Sequence, residues 1–378
     1  MLCLATIIMT TTTHDNSAGL RVSAISLGCA PLGNVYGDLK LDQSKVHKSC
    51  VRLNPDGKSH ELKPLTPPNP RQAIVHGAID RGVNFFDTSP YYGDTKSESV
   101  LGQCLADIPR DKFILATKCG RYNGYTDFSY DRVTKSIDES LERLGVDCVD
   151  LMQCHDIEFS SSLQQVVYEG LPALEDAKKA GKIKHFGITG LPLQVVDYVL
   201  EHSDADIESI LTYCCYTIQN VNLEQFLPRW KHRNLGIIQG GATSMGLLTP
   251  QGPQDWHPAP DQVKQVCADA VKQCEEMGES IVKLSFQFSS SNPDVHTCLV
   301  GSTSLDMLET NIRWMNQPLD DDTLAVVEES LASVKNKMWV ESGSEENIAL
   351  ASGGFWAAGR SGNNVIVGQS ANLGRKGN

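Results

Sequence analysis

Along the chain, short apolar runs alternate with longer segments whose apolar residues recur every three or four positions. The runs fall at residues 24–29, 83–87 (VNFFD), 113–118 (FILATK), 149–155 (VDLMQCH), 185–189 (HFGIT), 210–216 (ILTYCCY), 235–239 (LGIIQ) and 298–301 (CLVG). Each reads as a buried strand. Helical spacing appears at 71–81, 97–108 and 163–180, the last ended by Gly181. The clearest helix is 132–144, where Val133, Ile137, Leu141 and Leu144 share one face and Gly145 supplies the stop. Eight strands, each followed by a helical segment, predict an α/β fold, a (β/α)8 TIM barrel over residues 18–340. A doubly wound sheet would want a Gly-rich phosphate loop after its first strand, and no GxGxxG occurs.

Three stretches break the rhythm. Residues 38–68 are polar, carry an NPDG turn and end in LTPP, which predicts a long loop insertion after the first strand. In a barrel that loop would lie on the catalytic face, as a lid or as a passive surface loop. Residues 1–17 read as a disordered N-terminal extension: the apolar start is short, no basic residue precedes it, and the first Lys or Arg is Arg21. Residues 341–378 are rich in Gly, Ser and Asn and read as a low-complexity, disordered C-terminal tail apart from GGFWAAG and VIVG.

Composition narrows the function. A net charge of −13 repels phosphate backbones and anionic headgroups, so neither nucleic acid nor a membrane surface is an expected partner. No apolar run is long enough to span a bilayer. The 12 cysteines include no CxxC pair, and several lie in apolar runs. They read as reduced thiols of a cytoplasmic protein, with no metal site expected. The adjacent Cys214 and Cys215 read the same way. Oligomeric state is not legible.

The chemistry sits at strand ends. Asp87, Lys118 and His155 close the second, third and fourth strands, and consecutive barrel strands open on one face. Tyr92 follows in the loop after Asp87 (DTSPYYG) and rims the same mouth. A neighbouring ammonium favours a phenolate, so Lys118 can activate Tyr92 while Asp87 holds Lys118 charged. His155 can hold the substrate oxygen. The set suits a proton transfer coupled to hydride transfer, with Tyr92 as general acid or base. Taken singly, each has a bland reading: a cap, a solvated amine, a structural histidine, a packing tyrosine. Their conjunction on three neighbouring strands is the signal.

The segments NFFDTSPYYGDTKSESVLGQCL, ILATKCGRY, SIDESLERLGVDCVDLMQCHDIEF, KHFGITGLPL and MGLLTPQGPQDWHPAP resemble the aldo-keto reductases. The resemblance spans about residues 18–338. The family's catalytic Asp, Tyr, Lys and His map onto Asp87, Tyr92, Lys118 and His155 without departure. The resemblance also implies cofactor-binding positions. Gly28 and Cys29 would lie beside the nicotinamide ribose, Thr189 and Gly190 against the carboxamide where Ser and Asn are common, and Tyr213 where Gln is common. Gln239 and Gly241, within QGGAT, fall where a Ser-Pro-Leu segment usually cradles the pyrophosphate, a departure from the pattern. Gly301, Ser302, Met307 and Asn311 fall at the adenosine end. Members preferring NADP carry Lys or Arg there, and Gly301 and Met307 are not cations, so NAD is the expected cofactor.

The resemblance further implies oxidation of a free aldose at C1 to its lactone: L-galactose to L-galactono-1,4-lactone, a step of ascorbate biosynthesis, with L-fucose or D-arabinose as alternative sugars. Tyr91, Trp256 and His257 are candidate sugar contacts, and loop packing is the alternative for Trp256 and His257. A nucleotide-binding barrel with a regulatory role is the remaining alternative, which the intact quartet argues against.

Overall fold

A computed structural model of the chain describes residues 19–35, 69–341 and 343–351, and the backbone of two further strands, Ile7–Ile8 and Val365–Val367. Eight parallel strands close a barrel in chain order: β1 (Ile25–Gly28), β2 (Phe85–Asp87), β3 (Ile114–Cys119), β4 (Val149–Cys154), β5 (Ile183–Thr189), β6 (Ser209–Tyr213), β7 (Gly236–Gly240) and β8 (Thr297–Gly301). The expected TIM barrel is therefore the fold. The sixth strand stops short of the expected Tyr216 because Cys214 turns the backbone at φ 58°.

Side-chain alternation divides the core in two. Phe85, Ala116, Leu151, Leu211 and Ile238 fill the lumen, and Val22, from a short strand paired antiparallel with Ile7–Ile8, packs against them. The intervening residues, such as Phe86, Leu115 and Met152, pack outward under the helices. Period two then dictates the site. Asp87 lies two residues beyond inward Phe85, Lys118 two beyond inward Ala116, and Gln153 and His155 two and four beyond inward Leu151.

Helices α1 (Pro70–Asp80), α2 (Lys96–Leu105), α3 (Tyr130–Leu144), α4 (Leu171–Lys179) and α5 (Leu193–His202) follow the first five strands. On α3, Val133, Ile137 and Leu144 are buried and Leu141 packs against the same core, as the spacing predicts. The single helix expected over 163–180 is broken into an α-turn at Leu163–Gln165, a π-turn at Val166–Gly170, and α4. Pro172 has no N–H for the preceding turn, and the wider π spacing accommodates its ring. Later helices are α6 (Leu227–His232), α7 (Asp261–Glu276), α8 (Ile281–Ser289), α9 (Leu305–Met315) and α10 (Asp321–Leu331).

Beyond the barrel, β9 (Met338–Val340) pairs with Val365–Val367, and α11 (Glu345–Ala351) docks on the loop after β4. The Asn347 amide donates to the carbonyls of Glu158 (3.0 Å) and Ser160 (2.7 Å). This part of the expected low-complexity tail thus has a specific seat, which its composition did not reveal. The expected insertion at 38–68 lies outside the described residues, as do residues 1–6 and 9–17 of the expected N-terminal extension and residues 342, 352–364 and 368–378 of the expected tail. Among the described residues, no helix is long and apolar enough to cross a membrane.

Candidate active site

The four sequence-predicted catalytic residues meet at the C-terminal mouth of the barrel. Asp87, Lys118 and His155 are only 2%, 1% and 3% exposed, so their charges and dipoles act with little water between them. The Lys118 ammonium donates to the Asp87 carboxylate, to the Thr88 carbonyl (2.9 Å) and to the Tyr92 hydroxyl (3.2 Å). It also lies 4.7 Å from the Tyr92 ring centroid. All three ammonium protons therefore have acceptors, one of them the phenol oxygen. The Gln153 amide donates to the other Asp87 oxygen at 3.2 Å. Burial pushes the Asp87 carboxyl up, and the Lys118 charge and these hydrogen bonds pull it back.

Tyr92 is placed by backbone against backbone. A Cβ on Gly93 would stand 2.1 Å from the Gly33 carbonyl oxygen, and one on Gly33 would stand 2.6 Å from that of Tyr92. Gly93 also turns at φ 64°, a conformation glycine adopts without cost. Only two glycines let the loops after β1 and β2 approach this closely, and that contact fixes where Tyr92 leaves the chain.

The His155 ring stands edge-on to Tyr92 at a centroid distance of 5.6 Å and to Tyr91 at 5.7 Å. Burial depresses its pKa to about 3, with Lys118 and Arg121 adding to the effect and Asp156 opposing it, so the ring is neutral at physiological pH. The Ser89 hydroxyl lies 3.0 Å from Nδ1 and already accepts the Tyr91 amide N–H at 3.1 Å. Its own proton is then available to Nδ1, and Asp156 Oδ2 sits 3.5 Å from Nε2. Both contacts favour the tautomer that carries its proton on Nε2, the nitrogen free to donate to a substrate oxygen.

A second layer lies beside this quartet, and sequence reasoning missed it. Arg121 is bound to the Asp156 carboxylate and is sandwiched between the Tyr91 ring (4.5 Å) and the Phe159 ring (4.0 Å). Glu341 approaches its other side at 3.9 Å. Despite burial, Asp156 is held below the usual carboxylate range by the neighbouring His155, Arg121 and Thr189. Glu158, two residues on, is buried with one oxygen accepting from the Leu191 amide (3.0 Å), and burial pushes its carboxyl well up. Ser89 and Gln153 were readable, since both lie two residues from a quartet member. The Arg121–Asp156 pair depends on a hairpin, Arg121–Tyr122 with Tyr125–Thr126, that no periodicity announces.

The expected cofactor positions rim the same mouth. Gly28 pairs with Gly301 across β1 and β8, and the Cys29 amide donates to the Asp87 carbonyl at 2.8 Å. Tyr213 pairs with Gly240. Ser302 and Asn311 are buried, and Met307 is 44% exposed at the start of α9. Three of the expected side chains have bonds of their own. The Thr189 hydroxyl accepts the Asp156 amide (2.7 Å) and donates to Asp156 Oδ1 (2.9 Å), so toward a carboxamide it can only accept. The Gln239 side chain alternates outward from Ile238 and donates to the carbonyls of Tyr216 (3.2 Å) and Gly240 (2.9 Å), so it braces the strand end. His257 is buried with both nitrogens engaged, one 3.2 Å from the Ser244 carbonyl and the other accepting the Ala259 amide at 3.1 Å. Its ring packs edge-on against buried Trp339 at 4.8 Å. Of the two readings the sequence left open for His257, this bonding favours loop packing. Half-buried Trp256 stacks beside it at 6.3 Å, and Gly190 sits where a Cβ would approach the Glu158 carboxyl at 3.0 Å.

Comparison with known proteins bears on family and fold. The aldo/keto reductase family model matches residues 61–332. The chain is 42% identical to the L-galactose dehydrogenase of Arabidopsis thaliana, across 85% of this chain and 95% of that one. It is 31% identical to the D-arabinose 1-dehydrogenase of Saccharomyces cerevisiae, across 59% of this chain and 69% of that one. Among solved structures, an aldo-keto reductase from Bacillus halodurans in its holo form superposes with a TM-score of 0.62 at 21% identity, covering 86% of this chain and 96% of that one. The glycerol dehydrogenase of Gluconobacter oxydans superposes at 0.61 and 21%, covering 90% and 99%. The two superpositions speak to fold alone, whereas the matched model and the Arabidopsis relative speak to descent: the chain belongs to the aldo/keto reductase family.

Proposed function

We propose that the protein oxidises a free aldose at C1 to its lactone with NAD, L-galactose being the first candidate. The observation that carries this reading is the Tyr92 hydroxyl 3.2 Å from the buried Lys118 ammonium, beside a neutral His155. Tyr92 Oη takes the proton of the anomeric hydroxyl. Lys118 favours the phenolate that does so, and Asp87 holds the Lys118 ammonium aimed at it. His155 Nε2 donates to the same substrate oxygen and fixes the C1 substituents at the mouth. A bound nicotinamide supplies the hydride acceptor.

The residues at the mouth suit such a dinucleotide. The Ser302 hydroxyl is buried without a hydrogen-bond partner. It follows β8 and precedes α9, whose positive dipole end suits a phosphate. Neither Gly301 nor Met307 offers a cation to an adenosine 2′-phosphate. Asp306 adds negative charge in that first turn, and the Arg81 guanidinium is tied to Glu309. NAD is the cofactor that this pattern favours. The likeness to a plant L-galactose dehydrogenase supports the choice of sugar, and the likeness to a yeast D-arabinose 1-dehydrogenase makes that pentose the runner-up. Ten free cysteines among the described residues suit the reducing cytoplasm.

Initial rates with L-galactose, L-fucose and D-arabinose, each with NAD and with NADP, test the reading. The highest kcat/KM is expected for L-galactose with NAD. Equal or better use of NADP refutes the cofactor assignment. Inactivity on every aldose refutes the reaction and restores the regulatory alternative.

A further inference from the structure

The carboxylate of Asp156 takes up no proton in the reaction above, yet it is fixed in the mouth from several sides. Its backbone adopts φ 45°, ψ 65°, the left-handed region in which a non-glycine residue is strained and which concentrates at functional sites. Its loop is clamped from a distance by Asn347, its Oδ1 is held by Thr189, and its Oδ2 is bound by Arg121. Arg121 is itself fixed between two rings. The result is a rigid anion whose side chain keeps 10% exposure, immediately beside the imidazole proposed to hold the C1 oxygen.

We propose that Asp156 Oδ2 accepts a hydrogen bond from the sugar hydroxyl at C2, so that His155 and Asp156 together read a vicinal diol. The assignment rests on the aldose reading above. His155 Nε2 and Asp156 Oδ2 are 3.5 Å apart. Gauche vicinal hydroxyls on a sugar ring stand about a hydrogen-bond length from one another. One can therefore accept from Nε2–H while its neighbour donates to Oδ2. The polarity is correct: the neutral imidazole is a donor toward O1, and the carboxylate, ionised beside Arg121, is only an acceptor and demands a hydroxyl proton. A substrate lacking that hydroxyl would leave a desolvated carboxylate lone pair unmatched when it closes the mouth. A site built to bond a hydroxyl rejects the analogue without it for that reason. An aldehyde with no neighbouring hydroxyl is a poor substrate on the same ground.

The experiment compares L-galactose with 2-deoxy-L-galactose, using NAD, in the wild type and in Asp156→Asn. In the wild type, removal of the C2 hydroxyl is expected to lower kcat/KM by about 10- to 100-fold, the loss typical of a hydrogen bond to a charged group. In Asp156→Asn, kcat/KM for L-galactose falls toward that level and the ratio between the two sugars contracts to within about 3-fold. The wild-type comparison needs no mutant, so an unstable variant does not decide the matter. Equal kcat/KM for both sugars in the wild type, or an undiminished ratio in a folded Asp156→Asn, overturns the diol assignment alone. A wild type that oxidises no aldose overturns the parent reading, and the diol assignment with it.

Discussion

Lys118→Met removes the ammonium while nearly conserving the length of the side chain, and its consequences can be worked from the contacts. A unit charge at the observed 3.2 Å from the Tyr92 oxygen, with an effective dielectric of about 20, favours the phenolate by about 5 kcal/mol. Asp87, bound to the same ammonium, cancels part of this, and a half share leaves about 2–3 kcal/mol, on the order of 100-fold. The rise of kcat/KM with pH that reports Tyr92 ionisation is therefore expected to move to higher pH, with a loss on the order of 100-fold at fixed neutral pH. The substitution also strands the buried Asp87 carboxylate, at a stability cost of about 3–5 kcal/mol. The double variant Asp87→Asn with Lys118→Met should recover most of that stability and none of the activity. The assay is kcat/KM for sugar oxidation across pH 6–10, with denaturant unfolding of the three proteins alongside. An ionisation limb that stays in place, with activity within about 3-fold of wild type, would refute the assignment of Lys118 as the group that activates Tyr92.

Three further outcomes follow from other contacts. Ser89→Ala removes the proton that orients His155 Nδ1, so kcat should fall about 5- to 10-fold with little change in the cofactor dissociation constant; an unchanged kcat would show that the ring is held by packing alone. Gly93→Ala places a Cβ against the Gly33 carbonyl at a positive φ, and is expected to lower stability by about 1–3 kcal/mol and to depress kcat/KM through Tyr92; a variant indistinguishable in both readouts would contradict the loop contact. His155 has a folded pKa of about 3 against about 6.5 when unfolded, so the unfolded chain binds more protons between those values and stability declines as pH falls below about 6.5. Its share at pH 5 is about 2 kcal/mol, measurable as a shallower loss of unfolding free energy between pH 7.5 and 5 in His155→Gln; His257, depressed to about 4, titrates in the same window in both proteins.

The barrel was legible because its strands are buried on both faces and read as unbroken apolar runs, and because α3 carries its apolar stripe at helical spacing. Asp87, Lys118 and His155 were legible for a topological reason: parallel strands adjacent in sequence deliver their last residues to one mouth. The features that escaped depend on contacts between distant loops. Nothing local in Arg121 or Glu341 announces that they meet at Asp156, and nothing in PLG or YYG announces that Gly33 and Gly93 touch. His257 carried two readings, sugar contact or loop packing, for the complementary reason. A Trp-His pair in a loop has the composition of a sugar site, but here the ring nitrogens answer to the loop's own backbone. Pro172 was visible in the sequence, yet periodicity alone carried the helix straight through it.

The central claim is that Tyr92, activated by Lys118, is the base that takes the anomeric proton. Its most direct test is the initial rate of NADH formation from L-galactose by the wild type and by Tyr92→Phe, with NAD binding measured in both. The account predicts an active wild type, intact NAD binding in the variant, and a kcat lower by about 100- to 10,000-fold, the span that general acid–base catalysis contributes. A Tyr92→Phe enzyme that oxidises the sugar at near wild-type rate would contradict it.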